Sequence, residues 1–413
     1  MVLNNNLKTH DMKYIKTLPL LLIFVVAFVS CNKAVSEDDS NPYKSLDLTA
    51  EYVEMSEQGN DFHYTLLHEI NSAYKGSFVM SPLSAQLLLG MLLNGAAGET
   101  ANDIRKVLGF DNEKTEVING YSRSLLQQLP NLDKKIKLNI ANACFANNNY
   151  VFKEPFVSAI QDSYDATFSY LDFSAADNSK QYINNWCVDK TEGMIREFID
   201  NVAKDDPVYL LDAVYFKGEW SSPFLVRSSQ EEEFYDEEGL PVSTVMMMRN
   251  EKAFDYYSGE LFDGVALPYG NGAYEMIVLL PKEGKSINDV TTYLTANNVL
   301  GSFKRKNVRV FLPRFDIETK LSFDKPLKRM GISDSGLPDF GPMSEGIKNI
   351  GGLIQKTAIT VDEKGTVASA VSGNNYQMAY DGIPVLHANH PFLFMIIEKS
   401  TELVLFAGKY CGD

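Results

Sequence analysis

An apolar stretch early in the chain limits its possible folds more than any other feature. The segment SPLSAQLLLGMLLNGAAGET, residues 81–100, opens with a Ser-Pro helix start and continues as a helix that is apolar on nearly every side. Such a helix has to be buried at the centre of a large domain. The chain can build one, because its 413 residues are 45% hydrophobic and 22% charged.

Helical patterns come first along the chain and strand patterns follow. We predict further helices over residues 61–75, after a capping pair of Thr100 and Asp103, and over residues 180–199. From residue 208 onward the segments have the pattern of strands: VYLLDAVYF, GVALPYG, AYEMIVLLP, VRVFLPRFDIE, AITVDE, PFLFMIIEK and TELVLFAGKY. No repeat or low-complexity linker divides residues 44–413. This order indicates one α+β domain rather than alternating βαβ units.

The first thirty residues have the pattern of a targeting segment. Lys13 and Lys16 precede the mostly apolar run of thirteen residues LPLLLIFVVAFVS, which is too short to span a bilayer but has the length of a signal-peptide core. Translation starting at Met12 would keep this pattern. We expect a lipoprotein signal peptide over residues 1–30, a flexible tether over 31–46 and the folded domain over 47–413.

The junction between Ser30 and Cys31 resembles a bacterial lipoprotein cleavage site, at which Cys31 becomes the lipidated first residue. Ordinary secretion, with Cys31 in the removed segment, is the alternative. The acidic residues 37–39 resemble the export signals of surface lipoproteins in Bacteroides-like bacteria. These resemblances imply an outer-membrane lipoprotein of the cell envelope, surface-exposed or periplasmic, which contacts the membrane only through a lipid anchor at Cys31.

Charge and cysteine content argue against several kinds of partner. A formal net charge of −16 gives no electrostatic basis for binding nucleic acid or heparin. Cys144, Cys187 and Cys411 are an odd number without motif spacing. We therefore expect them to be free and mostly buried, without a disulfide framework or a metal site.

Enzyme motifs are missing from the sequence. It contains no G-x-S-x-G, GxGxxG, phosphate-binding Gly-Lys-Ser/Thr loop or H-E-x-x-H. His63 and His68 stand five residues apart on one predicted helix, which does not place them on one face, so we expect solvated or capping roles. We predict no enzyme activity, no cofactor and no metal. A lipoprotein hydrolase whose catalytic residues come from distant segments is the alternative.

Six segments, taken in order and spacing, resemble the serpin family. They are SPLSAQLLLGMLLNGAAGET, INNWCVDKTEGMI, LLDAVYFKGEW followed by PF, LPY with MIVLLP, FLPRFDIE and LHANHPFLFMI. The resemblance runs from about residue 47 to the end of the chain. It implies the α+β serpin fold, with three β-sheets, eight to nine helices and an exposed reactive-centre loop at about residues 363–386. It also implies a monomer that inhibits serine proteases by a suicide mechanism.

The segment VDEKGTVASAVSGNNYQMAYDGIPVL, residues 361–386, carries no charge between Lys364 and Asp381. In serpins this loop is protease bait, and after cleavage it inserts into the large sheet as a new strand. Alternate residues would then point inward, and all of these are small. They are Thr366, Ala368, Ala370 and Ser372.

The resemblance assigns a hinge to the start of this loop. The hinge residues are Glu363, Gly365, Thr366, Ala368, Ser369 and Ala370. Two residues depart from an inhibitory loop: Val367 replaces the usual Glu, and Gly373 weakens a strand. A flexible linker of small residues would have a similar composition. A non-inhibitory serpin that acts as a binding or carrier protein is therefore the alternative function.

Two further groups match positions that control opening of the large sheet in serpins. Glu363 and Arg314 match a salt bridge near Trp220, for which an ordinary surface ion pair is the alternative. A second group matches a hydrogen-bond cluster under the sheet, where an Asp and a Gln replace the Asn and His of the family. Its members are Ser81, Ser84, Asp212 and Gln355. The replacements are compatible, because a Gln amide can donate to a carboxylate.

The position of the reactive bond depends on the direction of counting. Counting from Glu363 places Ala379 before the bond, whereas counting back from Pro391 places Tyr380 there, and Met378 is a further candidate. Ala379 suits elastase-like or subtilisin-like proteases and Tyr380 suits chymotrypsin-like ones. No Arg or Lys stands near either bond, which disfavours trypsin-like targets. Papain-like cysteine proteases are a further class of partner.

Overall fold

The computed structural model describes residues 40–332, 338–366 and 382–413. These residues contain eight α-helices: α1 (Ala50–Ala73), α2 (Pro82–Asn94), α3 (Gly98–Leu108), α4 (Thr115–Gln128), α5 (Glu154–Tyr164), α6 (Ala176–Lys190), α7 (Ile287–Leu294) and α8 (Asp324–Met330). Short 3-10 helices lie at Leu129–Asn131, Val226–Ser228 and Leu300–Ser302.

The described residues also contain fifteen strands, most of which follow α6 in the chain. The strands are β1 (Phe78–Met80), β2 (Ile136–Asn147), β3 (Thr167–Leu171), β4 (Val208–Glu219), β5 (Gln230–Tyr235), β6 (Pro241–Ser258), β7 (Phe262–Tyr269), β8 (Tyr274–Pro281), β9 (Lys304–Pro313), β10 (Phe315–Ser322), β11 (Gly352–Val361), β12 (Gly365–Thr366), β13 (Val385–His387), β14 (Phe392–Glu398) and β15 (Leu403–Tyr410).

Helix α2 is the buried helix that its composition predicts. Every residue from Pro82 to Leu93 is buried. The helix begins at Pro82, and the Ser81 side chain caps it by accepting the N–H of Ser84. It contacts β4 and β11 of one sheet and β15 of another, so it is enclosed by two layers of strands. This position explains why no face of α2 is polar.

The large sheet has the strand order β10-β11-β12-β4-β2-β3. Strands β4 and β11 pair with each other in parallel along the lower part of β11, residues 352–357. Above that stretch the two-residue strand β12 lies between them and is antiparallel to both. We call the line along which β4 and β11 meet the seam. Strand β12 occupies the upper end of this seam.

The two faces of β4 pack against different parts of the molecule. Leu210, Val214 and Phe216 belong to the main core, on the side of α2. Leu211 and Ala213 pack with α6 in a separate core on the other face. Because side chains alternate along a strand, Asp212 points into the main core.

The second sheet has nine strands, ordered β1-β15-β14-β8-β7-β6-β9-β13, with β5 also paired to β6. Strand β6 is shared by two groups, because its first part pairs with β5 and its last part with β7. Counting these groups separately gives three sheets, as the serpin resemblance predicts. The predicted fold class is confirmed in the described residues, which also contain eight α-helices.

Two helix boundaries differ from their predictions. Helix α1 begins at Ala50 rather than near residue 61, with the Thr49 side chain accepting the N–H of Tyr52 as its cap. Its first turn carries few buried side chains, so the apolar period does not reveal it. Helix α6 ends at Lys190 rather than near residue 199, because the chain then takes positive φ at Glu192 and Gly193.

Two side-chain predictions on the helices are wrong. Thr100 does not cap α3, which begins at Gly98; its hydroxyl instead accepts the N–H of Asp339. His63 is neither solvated nor a cap, because it is completely buried in α1, where burial lowers the pKa of its ring to about 3. A helical period identifies a buried face but not which polar side chain the core will accept there.

Candidate functional site

The chain turns sharply between β11 and β12, at the upper end of the seam. The Asp362 carboxylate accepts the N–H groups of Lys364 and Gly365 at 2.8 and 3.2 Å, and the Asp362 N–H donates to the Gly365 carbonyl at 2.8 Å. Gly365 has φ +155°, and a Cβ there would lie 2.0 Å from the carbonyl oxygen of Gly218 on β4. The turn therefore requires glycine at the point where β12 enters the sheet.

Glu363 lies inside this turn and is held by two side chains. The Arg314 guanidinium grips its carboxylate, with Nε at 2.8 Å from Oε2 and Nη2 on Oε1, and the Ser229 hydroxyl donates to Oε1. Glu363 is only 2% exposed, so this is not the ordinary surface pair of the alternative prediction. Burial raises its pKa, but the hydrogen bonds from Arg314 and Ser229 outweigh burial and hold the pKa below its ordinary value.

Trp220 holds the backbone of the same turn. Its indole N–H donates to the Asp362 carbonyl at 2.9 Å, and its own backbone N–H donates to the Lys364 carbonyl at 2.8 Å. The indole stacks on the ring of Tyr269 from β7, with centroids 4.3 Å apart and planes 16° apart. Trp220 therefore connects the turn to the second sheet.

Thr366 is the deepest described residue of β12. It is 1% exposed, and its hydroxyl oxygen lies 2.9 Å from the hydroxyl oxygen of Tyr269. In the backbone ladder it stands opposite Val361 of β11 and Gly218 of β4. The beginning of the predicted loop is thus already seated in the sheet. The roles of Tyr269 and Ser229 are not predictable from the sequence, because no local motif marks a residue whose partner lies in a distant segment.

Other predicted residues lie outside the described part of the chain. These are the lipidation residue Cys31, the hinge residues Ala368, Ser369 and Ala370, and the reactive-bond candidates Met378, Ala379 and Tyr380. The described chain resumes at Gly382, and β13 then pairs in parallel with β9 of the second sheet.

The predicted cluster under the sheet lies where α2 begins beneath the seam. Gln355 of β11 accepts the Ser81 N–H at 2.7 Å and donates to the Ser81 carbonyl at 2.9 Å. Its amide also donates to Asp212 Oδ1 at 3.3 Å, and the Ser81 and Ser84 hydroxyl oxygens are 3.1 Å apart. Because Gln355 and Asp212 are directly paired across β11 and β4, their hydrogen bond crosses the seam itself.

The described residues contain free cysteines but no candidate metal centre. The three described cysteines are free and buried, as expected, and no group of three His, Cys, Asp or Glu side chains in that part of the chain could hold a metal ion. His68 bonds the Thr291 hydroxyl at 3.1 Å. No helix in the described ranges has the length and apolar character needed to cross a membrane.

Comparison with known proteins points to one family. The sequence matches the family described as Serpin (serine protease inhibitor) over residues 57–412. It is 31% identical to Serpin B6 of Bos taurus over 87% of this chain and 99% of that protein. It is 30% identical to leukocyte elastase inhibitor of Xenopus tropicalis over 84% of this chain and 97% of that protein. The native crystal structure of the thermophilic serpin tengpin superimposes with a TM-score of 0.79, at 31% identity, over 90% of this chain and 97% of tengpin.

Proposed function

The chain belongs to the serpin family, and we propose that it inhibits serine proteases by a suicide mechanism. A protease attacks the loop that follows Thr366 and forms an acyl-enzyme with the new end of that loop. The loop then inserts into the seam between β4 and β11 and carries the protease away before the acyl bond is hydrolysed. The observation that supports this proposal is β12, which already occupies the upper end of the seam.

The pairing of β12 defines how the rest of the loop would enter. Gly365 and Thr366 stand opposite Glu219 and Gly218, so continuing this register places residues 367–376 opposite Lys217 down to Val208. Thr366 points into the main core, and residues 368, 370 and 372 would follow it on that face. These positions carry Ala, Ala and Ser, which are small enough to enter between strands that are already packed.

Insertion is favoured because an added strand forms hydrogen bonds on both of its edges. Strands β4 and β11 lose their parallel pairing over residues 352–357, and each gains an antiparallel partner instead. Each added backbone hydrogen bond contributes about 1 kcal/mol net. The native form is then a kinetic trap, which persists because the seam must open before the loop can enter.

The target class follows from the residues around the reactive bond. We propose Ala379 as the residue before the bond, with Tyr380 and Met378 as alternatives, and elastase-like, subtilisin-like or chymotrypsin-like proteases as targets. The likeness to a leukocyte elastase inhibitor supports the first class. We also propose that the protein is an envelope lipoprotein anchored through Cys31, which would place its loop where external proteases can reach it.

Incubation with pancreatic elastase tests the mechanism on a denaturing gel. The parent is expected to give an SDS-stable complex with elastase and to release a fragment that begins at Tyr380. Thr366→Arg should be cleaved without forming that complex, because a cation cannot follow β12 into the core without a large desolvation cost. Val367→Arg is the matched control: it adds the same charge on the outward face and should still trap the protease.

The alternatives give different outcomes on the same gel. A non-inhibitory carrier would be cleaved as a plain substrate in its parent form, with no stable complex. A complex that forms equally well with Thr366→Arg would show that trapping does not depend on insertion at this seam.

A further inference from the structure

Two directly paired residues of β2 and β4 each carry a buried oxygen atom that has no hydrogen-bond donor among the described residues. Asn142 and Asp212 are directly paired in the antiparallel ladder, and they are 1% and 0% exposed. Among the described residues, Asn142 Oδ1 and Asp212 Oδ2 have no hydrogen-bond partner. Two unsatisfied acceptors on paired residues are costly, because each loses its hydration without gaining a hydrogen bond.

The neighbouring hydrogen bonds fix the orientation of both side chains. The Asn142 amide nitrogen donates to the Tyr164 carbonyl at 2.9 Å, so its oxygen has to be the atom that lacks a partner. Gln355 is fixed in the same way, because it accepts from the Ser81 N–H and donates to the Ser81 carbonyl. Its amide nitrogen therefore faces Asp212 Oδ1 and leaves Oδ2 for another donor.

A single proton satisfies both oxygens. We infer that Asp212 is a neutral carboxylic acid in the native protein, with the proton on Oδ2 donated to Asn142 Oδ1, and that loss of this proton weakens the closed seam. The carboxyl group has this effect because Gln355, its other partner, belongs to the strand that must separate from β4. The effect on loop insertion rests on the proposed function, whereas the protonation state does not.

The surroundings of Asp212 offer no opposite charge among the described residues. Ser81 and Ser84 from α2, Gln355 from β11 and Asn142 from β2 are all uncharged. Burial is the main cause that raises the pKa of Asp212 to about 8, and the nearby Ser84 hydroxyl and Gln355 amide lower it in part.

Three titratable groups farther from Asp212 also provide no positive charge that would balance an ionised carboxylate. Burial raises the pKa of Tyr164 on α5, and it raises the pKa of the Cys187 thiol on α6 to about 12, so both are neutral at physiological pH. Lys356 of β11 neighbours Gln355 in the chain, so its side chain leaves the opposite face of the sheet, where it pairs with Glu318 at 2.5 Å.

The sign of the pH dependence follows from the pKa of Asp212 in the closed form and in the open or unfolded form. An Asp exposed by opening or unfolding has its ordinary pKa of about 4. Between that value and about 8, the closed form binds one more proton than the open form. Raising the pH across this window therefore favours opening by up to about tenfold per pH unit, and the effect levels off above it.

Comparison of the parent with Asp212→Asn tests the inference without any protease. The Asn amide can donate to Asn142 and accept from Gln355, but it cannot ionise, so it imitates the protonated acid. From pH 5 to pH 8, the unfolding equilibrium constant of the parent should rise relative to that of Asp212→Asn by about tenfold per pH unit. Hydrogen exchange in the peptides that contain β4 and β11, corrected for intrinsic rates, should rise with it in the parent only.

Infrared spectroscopy reports the protonation state directly, even if Asp212→Asn proves difficult to fold. The parent at pH 6 should show the carbonyl stretch of a buried protonated carboxyl group, and this band should disappear at pH 10. Parallel pH profiles of the two proteins, or the absence of the band at pH 6, would overturn the inference. Because neither measurement uses a protease, failure here is distinguishable from failure of the elastase gel.

Discussion

The hydroxyl–hydroxyl contact between Thr366 and Tyr269 should hold the start of the loop in the sheet, and a double-mutant cycle can measure it. Both residues are at most 1% exposed, and Thr366 is the partner that the described residues provide for the Tyr269 hydroxyl, at 2.9 Å. Thr366→Val keeps the size and the β-branched shape but removes the hydroxyl. It leaves the Tyr269 hydroxyl buried without a partner, which costs about 1–3 kcal/mol.

Tyr269→Phe should cost a similar amount, because it leaves the Thr366 hydroxyl unsatisfied instead. The double variant leaves no unsatisfied group, so its loss should approach the net value of one hydrogen bond, about 1 kcal/mol. The sum of the two single losses in unfolding free energy should therefore exceed the loss in the double variant. Thr366→Ser retains the hydroxyl and controls for loss of the methyl group.

Equilibrium denaturation in urea provides the free energies of unfolding for the four proteins of the cycle and for the control Thr366→Ser. Limited proteolysis of residues 361–366 provides an independent measure, since a hinge that leaves the seam becomes accessible. If the single effects add to the double effect within about 0.5 kcal/mol, the hydroxyl groups do not interact and the reasoning is refuted.

Two further predictions concern the turn before β12. Arg314→Ala leaves Glu363 buried without its cation and should cost about 3 kcal/mol in urea denaturation at neutral pH. Because the pKa of Glu363 is lowered in the folded protein, the parent should lose this stabilisation as the pH falls below the ordinary pKa of Glu, about 4.3. If Arg314→Ala lost stability over the same acid range and by the same amount as the parent, the pairing would be contradicted. Gly365→Ala places a Cβ against the Gly218 carbonyl and should expel β12, which would be seen as faster proteolysis of the hinge. Gly382→Ala is the control, because Gly382 has φ +80° but lies in open space. This control should cost only about 1 kcal/mol and leave the hinge protected.

The sequence alone determined the α+β class and the central buried helix, because these depend on patterns that are local. The apolar run at residues 82–93 forms a buried helix, and the serine before its proline caps it through a contact three residues away. The matches to a known family also predict the pairing of Glu363 with Arg314 and of Ser81 with Gln355.

Only the tertiary structure decided how these groups are satisfied. Thr366 and Tyr269 are 97 residues apart, and Trp220 and Asp362 are 142 apart, so no local period relates them. The pairing of Asn142 with Asp212 depends on strand register, and a shift of one residue would turn one of the two side chains to the opposite face. The hydrophobic pattern of the sequence specifies which face of a strand or helix is buried. The partner of each buried polar atom depends instead on how distant segments pack together, and the stability of the closed seam depends on those partners.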